Sequence, residues 1–346
     1  MDAFARRLLH WFDQHGRHDL PWQHPRTPYR VWVSEVMLQQ TQVATVIPYF
    51  ARFIAALPTL AALAAASEDQ VMALWSGLGY YRRARYLQAA AKVCVAQHGG
   101  ELPHDFDSLA ALPGIGRSTA GAILALATEQ RYPILDGNVK RVLARVHGIR
   151  GWPGQPTVEA ALWQHALAHT PTTRIADYTQ AIMDLGATVC TRTHPRCDVC
   201  PHASYCRARQ LGLTADIPEA RPARALPVKH TFLVVLQRRD GRVLLQRRPP
   251  QGVWPRLWSL PEAVDAAAAK KLAAKLARTE RRCPLPMPTI HHGFTHYKLE
   301  ATPLCWQQVG AQQAVADSPD WRWCTPGDIA ALGVPAPIRK WLQMLA

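Results

Sequence analysis

The sequence has no uninterrupted apolar run approaching the roughly 18 residues that a membrane-spanning helix needs, so no membrane partner is expected. Its start, Met1-Asp2-Ala3-Phe4-Ala5-Arg6-Arg7, has no apolar stretch and cleavage site behind it. A secretory signal is therefore not expected, and the reading is intracellular, in cytoplasm or nucleoid. Internal repeats and long low-complexity tracts are also missing, so a repeat array is not indicated. Acidic residues are scarce: 25 Asp and Glu stand against 40 Lys and Arg, a net charge of +15. That excess attracts a polyanion by counterion release and long-range attraction. Solubility or a codon bias toward arginine explains charge alone equally well.

What is present is an ordinary globular composition, 48% hydrophobic and 19% charged, in a chain of 346 residues that is too long for one comfortable core. Few β-branched runs occur before residue 210. Apolar residues recur there at helical spacing in 28–41, 43–56, 81–97, 117–128, 138–147 and 158–168. Turn signals such as Leu112-Pro113-Gly114 and Gly151-Trp152-Pro153-Gly154 separate them. Residues 213–229, with Pro218, Pro222 and Pro227, read as an extended linker. Beyond it the pattern becomes α+β. A strand is expected at 231–236, a hairpin turn at Asp240-Gly241 and a returning strand at 243–245. A helix is expected over 264–278, strands over 290–300 and 302–308, and a last helix near 336–345. The expected organisation is a helical region at 1–212, the linker at 213–229, and a second domain at 230–346.

Of eight cysteines, four are close together: Cys190-x6-Cys197-x2-Cys200-x5-Cys206. In an intracellular chain such a cluster reads as a metal site rather than a disulfide framework. Zinc folds usually present two C-x2-C knuckles a longer span apart. One knuckle flanked by two wider gaps inside 17 residues suits an iron–sulfur cubane better, with structural zinc as the alternative. The first gap is a short basic loop, Thr191 to Arg196, able to meet a phosphate or simply solvated.

Leu112-Pro113-Gly114-Ile115-Gly116-Arg117-Ser118-Thr119-Ala120 closes one short helix and opens another. Free N–H groups at such a helix start form an anion site. Twenty residues on, Ile134-Leu135-Asp136-Gly137-Asn138-Val139-Lys140-Arg141 places an aspartate at a helix start, where by itself it is an ordinary N-cap. Upstream, Glu35 stands alone among Val33, Val36, Met37 and Leu38. Burying it ionised is costly, so it lies either on an exposed stripe or in a pocket where a raised pKa is useful.

Together the hairpin, the LDGNVKRVLAR segment, the SEVMLQQTQV helix and the cysteine spacing resemble the endonuclease III superfamily of helix-hairpin-helix DNA glycosylases, and most its MutY-type adenine glycosylase branch. The resemblance covers residues 1–210 densely. It implies a multidomain protein: an all-α helix-hairpin-helix glycosylase domain with an iron–sulfur cluster loop, then an α+β MutT/Nudix-like domain. It further implies a [4Fe-4S] cluster on Cys190, Cys197, Cys200 and Cys206. Glu35 is then the general acid that protonates the flipped adenine, Asp136 stabilises the oxocarbenium-like sugar, and Asn138 orients the carboxylates. Gln40, Leu78 and Tyr80 match residues at the duplex, with Gln40 and Tyr80 as wedges. Gly114, Gly116, Ser118 and Lys140 belong to the DNA-gripping elements. Bifunctional relatives carry a lysine where Ser118 stands, so a monofunctional enzyme that leaves an abasic site is expected.

The C-terminal part resembles the MutT-like domain that adenine glycosylases use to recognise 8-oxoguanine, and Phe294-Thr295-His296 matches its lesion-reading loop. Residues 264–278 have Asp265 as their single acid, so magnesium-dependent pyrophosphatase activity is not expected. Arg256 stands where the family usually has glycine. The implied partner is double-stranded DNA containing A:8-oxoguanine or A:G mispairs, bound by a monomer. Two other readings remain at this point: a thymine or uracil mismatch glycosylase of the same superfamily, and a non-enzymatic iron–sulfur DNA-binding protein.

Overall fold

A computed structural model describes residues 1–222, 225–279, 283–311 and 318–345. Residues 223 and 224 of the expected linker, and residues 280–282, 312–317 and 346 of the expected second domain, lie outside the described residues. The chain is organised as two compact units. One comprises Met1–Ala65 and Tyr86–Ala223, the other Ala66–Arg85 and Arg224–Ala346.

The first unit is helical, built from α1 (Ala3–His15), α2 (Pro28–Leu38), α3 (Val43–Ala56) and α4 (Leu60–Ala65). After α5 (Glu68–Trp75), which belongs to the second unit, come α6 (Arg82–Gln97), α7 (Phe106–Ala110), α8 (Arg117–Thr128) and α9 (Gly137–His147). The set ends with α10 (Pro156–His169), α11 (Ile175–Asp184) and α12 (Arg207–Gln210). Local chemistry sets the boundaries. Thr27 caps α2 by accepting from the Arg30 N–H, and Pro28 follows at a position that needs no donor. Gly148, at φ 67°, ends α9 in the left-handed region.

Helix α2 packs on α8. Its Val31, Trp32, Val33 and Met37 are buried, as are Ala120, Ile123 and Leu124 opposite. Each such large side chain contributes roughly 1.5–3 kcal/mol by leaving water. Gly121 has a sharper role: a Cβ there would lie 2.7 Å from the Pro133 carbonyl oxygen. The missing side chain lets the extended segment 131–135 run against α8 and deliver Asp136 to the start of α9.

The second unit contains three sheets among the described residues. β1 (Val228–Leu236) pairs in parallel with β8 (Lys298–Trp306), from Val228 opposite Lys298 to Leu236 opposite Trp306, and antiparallel with β4 (Glu262–Ala263). β6 (Leu285–Pro286) and β7 (Ile290–Gly293) also pair with β8. A separate sheet joins β2 (Val243–Arg247) to β10 (Trp321–Cys324) and β3 (Trp258–Ser259). β5 (Ala277–Arg278) pairs with β9 (Gly310–Ala311). Helix α13 (Ala266–Leu276) covers the first sheet, burying Ala269, Ala273 and Leu276 with Val234, Leu236 and Trp306.

Two sequence expectations need correction here. The strands on either side of Asp240-Gly241 do not form a simple hairpin: apart from one bridge, Gln237 to Val243, they belong to different sheets. The chain leaves one sheet at the turn because β1 already has β8 and β4 on its two edges. The single strand expected over 290–300 is likewise two, broken at 294–297 by a tight turn in which the Phe294 N–H donates to the Tyr297 carbonyl at 2.8 Å. The segment 66–85 packs within the second unit, where Gly333 leaves space for Met72: a Cβ at Gly333 would lie 2.4 Å from the Met72 Cβ. No change of composition marks that segment.

Candidate active site and cysteine centre

Asp136 is the N-cap of α9. Its Oδ1 accepts the Val139 N–H at 2.8 Å and its Oδ2 accepts from the Asn138 Nδ2 at 3.3 Å. Asn138 is itself held: its Oδ1 accepts from Arg141 Nη2 at 2.8 Å. The same guanidinium donates to the carbonyls of Gly186 and Cys190, both at 2.6 Å. Gly186 allows this convergence, since a Cβ there would lie 2.5 Å from the Asn138 Cβ. It sits in a π-helical turn, Leu185–Val189, that leads into Cys190. On the other side of Asp136, the Leu135 N–H donates to Ser118 Oγ at 2.9 Å.

Glu35 lies half-buried on α2. Burial, and then the neighbouring Asp136 charge, push its pKa up to about 8. Asp136 is also raised by burial, and Val139, Arg141 and Asn138 offset part of that rise. The two carboxyls are therefore unequal. The hydrogen-bonded one ionises first, and the other keeps its proton near neutral pH. An apolar helix with a single acid was the legible part of this arrangement. Arg141 and Gly186 carry no sequence signal of these roles: nothing local shows where the guanidinium turns or what packs on the glycine.

The four cysteines converge around one cavity, lined also by Arg145, Val142, Leu185 and His202. Arg145, only 2% exposed, organises the loop. It donates to the carbonyls of Thr191, Arg192 and Ile217 at 2.7, 3.1 and 2.8 Å, and lies 3.4 Å from Cys190 Sγ. Burial pushes the Cys200 thiol up to about 12, and Cys190, Cys206 and Cys197 push the same way. Four neighbouring thiolates thus need a strongly positive centre among them. A single tetrahedral zinc draws sulfurs to about 3.8 Å from one another. Among the described residues, the one set of three or more possible ligands whose donor atoms all lie within 4.8 Å of one another contains no cysteine. Four thiolates around one cavity are a ligand set for an iron–sulfur cluster or for a structural zinc.

The hairpin between α7 and α8 has Gly114 at φ +78°, where a Cβ would meet the Tyr86 Cβ at 2.7 Å. Gly116, the N-cap of α8, faces open space. Lys140 is paired with Glu159 at 2.7 Å, so its charge is partly neutralised. Gln40 is exposed at the end of α2 with φ 58°. In the second unit, Tyr80 is 50% exposed with φ 48°, and Arg83 lies over its ring at 5.4 Å. Leu78 is only 6% exposed, and its side chain supports this turn.

Thr295 and His296 are exposed at the tip between β7 and β8. Phe294 anchors the tip, stacking on Tyr297 at 4.7 Å and meeting His292 edge-on at 4.5 Å. Arg256 adopts φ 66°, a left-handed conformation that glycine takes freely. Its side chain is held by Glu68 at 3.2 Å, a carboxylate that also receives Arg247 at 3.1 Å. The backbone shape is kept, and the ion pair offsets the cost of a side chain there.

These features define a class. Residues 33–166 match the HhH-GPD superfamily of base excision DNA repair proteins, and residues 231–344 match the NUDIX domain. The helical architecture resembles a thermostable thymine-DNA glycosylase, with TM-score 0.53 and 25% identity over 60% of this chain and 95% of that one. A similar fold is seen in endonuclease III bound non-covalently to DNA, at TM-score 0.52 and 21% identity over 61% and 95%. Over its whole length the chain is similar to the adenine DNA glycosylase of Buchnera aphidicola (strain APS of Acyrthosiphon pisum), 34% identical over 98% of this chain and 97% of the relative. It is 35% identical to the Homo sapiens adenine DNA glycosylase, over 98% of this chain and 73% of that one. The chain belongs to the adenine DNA glycosylase family, enzymes that hydrolyse the N-glycosyl bond. Among the described residues no helix is long and apolar enough to cross a membrane.

Proposed function

We propose that this enzyme removes adenine from A:8-oxoguanine, and less readily from A:G, after flipping the base out of the duplex. The observation that carries the reading is the unequal carboxyl pair: Glu35 raised to about 8 beside a hydrogen-bonded Asp136. Glu35 donates its proton to the adenine ring, which turns a poor leaving group into a good one. Asp136, kept anionic by Val139 and Asn138, stabilises the positive charge that grows on the sugar before water attacks. Asn138 and Arg141 hold it in place. Ser118 donates no amine and is occupied by the Leu135 N–H, which supports hydrolysis without strand cleavage.

Gly114, Gly116 and the start of α8 grip a phosphate, while Gln40 and Tyr80 enter the stack and offset the cost of flipping. Cys190, Cys197, Cys200 and Cys206 hold a [4Fe-4S] cluster, which supplies the positive centre that folds the basic loop 191–196. Thr295 and His296 meet the modified edge of 8-oxoguanine. Single-turnover excision from A:8-oxoguanine and A:G duplexes, with G:T as comparison, tests the reading. Adenine release is expected from the first two. Thymine release from G:T with no adenine release would favour the mismatch glycosylase that the solved thymine-DNA glycosylase fold also suggests.

A further inference from the structure

His147, His165 and His169 come together in the first unit, apart from the carboxyls and the cysteines. His147 is the last residue of α9, and His165 and His169 are four apart on α10, so they share one helix face. Their donor nitrogens all lie within 4.8 Å of one another. His147 Nε2 and His169 Nε2 are 2.9 Å apart, and the His147 and His165 rings stack at 3.7 Å with an interplanar angle of 16°. The far nitrogen of His169 is taken: its Nδ1 meets Asp2 Oδ2 at 2.5 Å. The other oxygen of Asp2 caps α1 by accepting the Ala5 N–H at 2.8 Å.

We propose that these three histidines form a second metal site, separate from the cysteine centre, for one borderline divalent cation such as zinc. Three neutral imidazoles are a zinc ligand set, and an outer carboxylate on the far N–H of one of them is the usual orienting partner. Asp2 fixes His169 with its proton on Nδ1 and its Nε2 lone pair facing inward. Without an ion, the His147 Nε2–H fills the gap to that lone pair. Binding moves the His147 proton to its Nδ1, the two Nε2 atoms separate by roughly half an ångström to accommodate zinc–nitrogen bonds, and His165 turns out of its parallel stack on His147 so that its in-plane lone pair meets the ion. The ion would tie the N-terminus of α1 to α9 and α10. Phe4 extends that tie toward the cysteine loop, since its ring stacks on both His169, at 4.2 Å, and His202, at 4.0 Å.

The test uses tag-free, chelator-washed protein with its iron and sulfide content unchanged. Calorimetric titration with zinc chloride is expected to show one saturable equivalent. His165→Ala and His169→Ala should abolish it, and Asp2→Asn should weaken it about 10- to 100-fold. Zinc-edge absorption of the wild-type complex should show a nitrogen and oxygen shell with imidazole scattering and no sulfur. That measurement, with Asp2→Asn, decides the matter should the histidine variants fail to fold. No saturable binding by wild type, a sulfur shell, or unchanged affinity in a folded His165→Ala protein would overturn the proposal.

Discussion

Glu35 and Thr295 are both proposed to meet a base, yet one sits half-buried on a helix and the other stands exposed on a hairpin tip. The difference follows from the work assigned to each. A proton donor must be desolvated, or its pKa falls back to the carboxylate range and it arrives at the base already ionised. A lesion reader must reach a base edge, so its hydroxyl has to remain open to solvent until DNA displaces the water. The catalytic side consequently depends on many fixed neighbours and the reading side on few. Variants in the first unit should therefore cost far more than variants at the hairpin.

The largest effect is expected from Glu35→Gln and Asp136→Asn, each lowering single-turnover adenine release by about 10²- to 10⁴-fold with lesion-duplex binding largely kept. Asparagine is as good an N-cap as aspartate, so Asp136→Asn should fold normally and lose the anion alone. Gel-shift affinity and thermal melting on the same preparations separate chemistry from folding. Near-normal excision by Glu35→Gln would remove the acid assignment. Gly186→Ala should come next. Its Cβ would collide with Asn138 Cβ at 2.5 Å, and strain of about 1–3 kcal/mol that displaces Asn138 and Asp136 is expected to slow excision roughly ten- to hundredfold. An unchanged rate would show that Asn138 can shift without consequence.

How much of this was legible depended on whether the signal was local. Helices α3 and α8 have the limits their periodicity indicates, 43–56 and 117–128. The caps Asp136 and Gly148 mark both ends of α9 in the sequence itself. Glu35 stood out because a lone acid in an apolar helix needs an explanation. Arg145 did not, because nothing in a helix sequence shows that one arginine turns inward to meet three groups of the Cys190–Arg192 segment and the Ile217 carbonyl. Segment 66–85 carried no local signal for the same reason: Met72 packs against Gly333, far along the chain. That packing also changes an experiment. Deleting residues 230–346 would uncover Met72, so truncation would confound loss of lesion reading with damage to the fold.

The raised Glu35 sharpens the contrast through pH. Excision needs its proton and the Asp136 anion, so the rate should fall above the Glu35 pKa of about 8, about tenfold per pH unit, and fall again at acid pH as Asp136 takes up a proton. Stability has the matching sign. The folded pKa of about 8 exceeds the ordinary 4.5, so the folded chain holds the extra proton. That contribution is full below 4.5 and is lost as pH rises toward about 8. Glu35→Gln should flatten the melting temperature across this window. A rate that climbs through pH 8 would assign the critical proton to another group.

The smallest effect is expected at the hairpin tip, and it should be selective. Thr295 and His296 are exposed and are not part of the stacked cluster of Phe294, Tyr297 and His292, so removing their side chains should leave the loop standing. A single neutral hydrogen bond is worth about 0.5–1.5 kcal/mol, which corresponds to roughly two- to tenfold in rate or affinity. Thr295→Ala and His296→Ala should each lower the preference for A:8-oxoguanine over A:G by about that factor, with A:G processing close to wild type. Phe294→Ala removes the ring that holds the tip and should lose more of the preference than either. Single-turnover rates on the two duplexes, taken as a ratio for each variant, provide the comparison. Equal losses on both substrates would mean that the hairpin contributes general DNA affinity and that the lesion is read elsewhere.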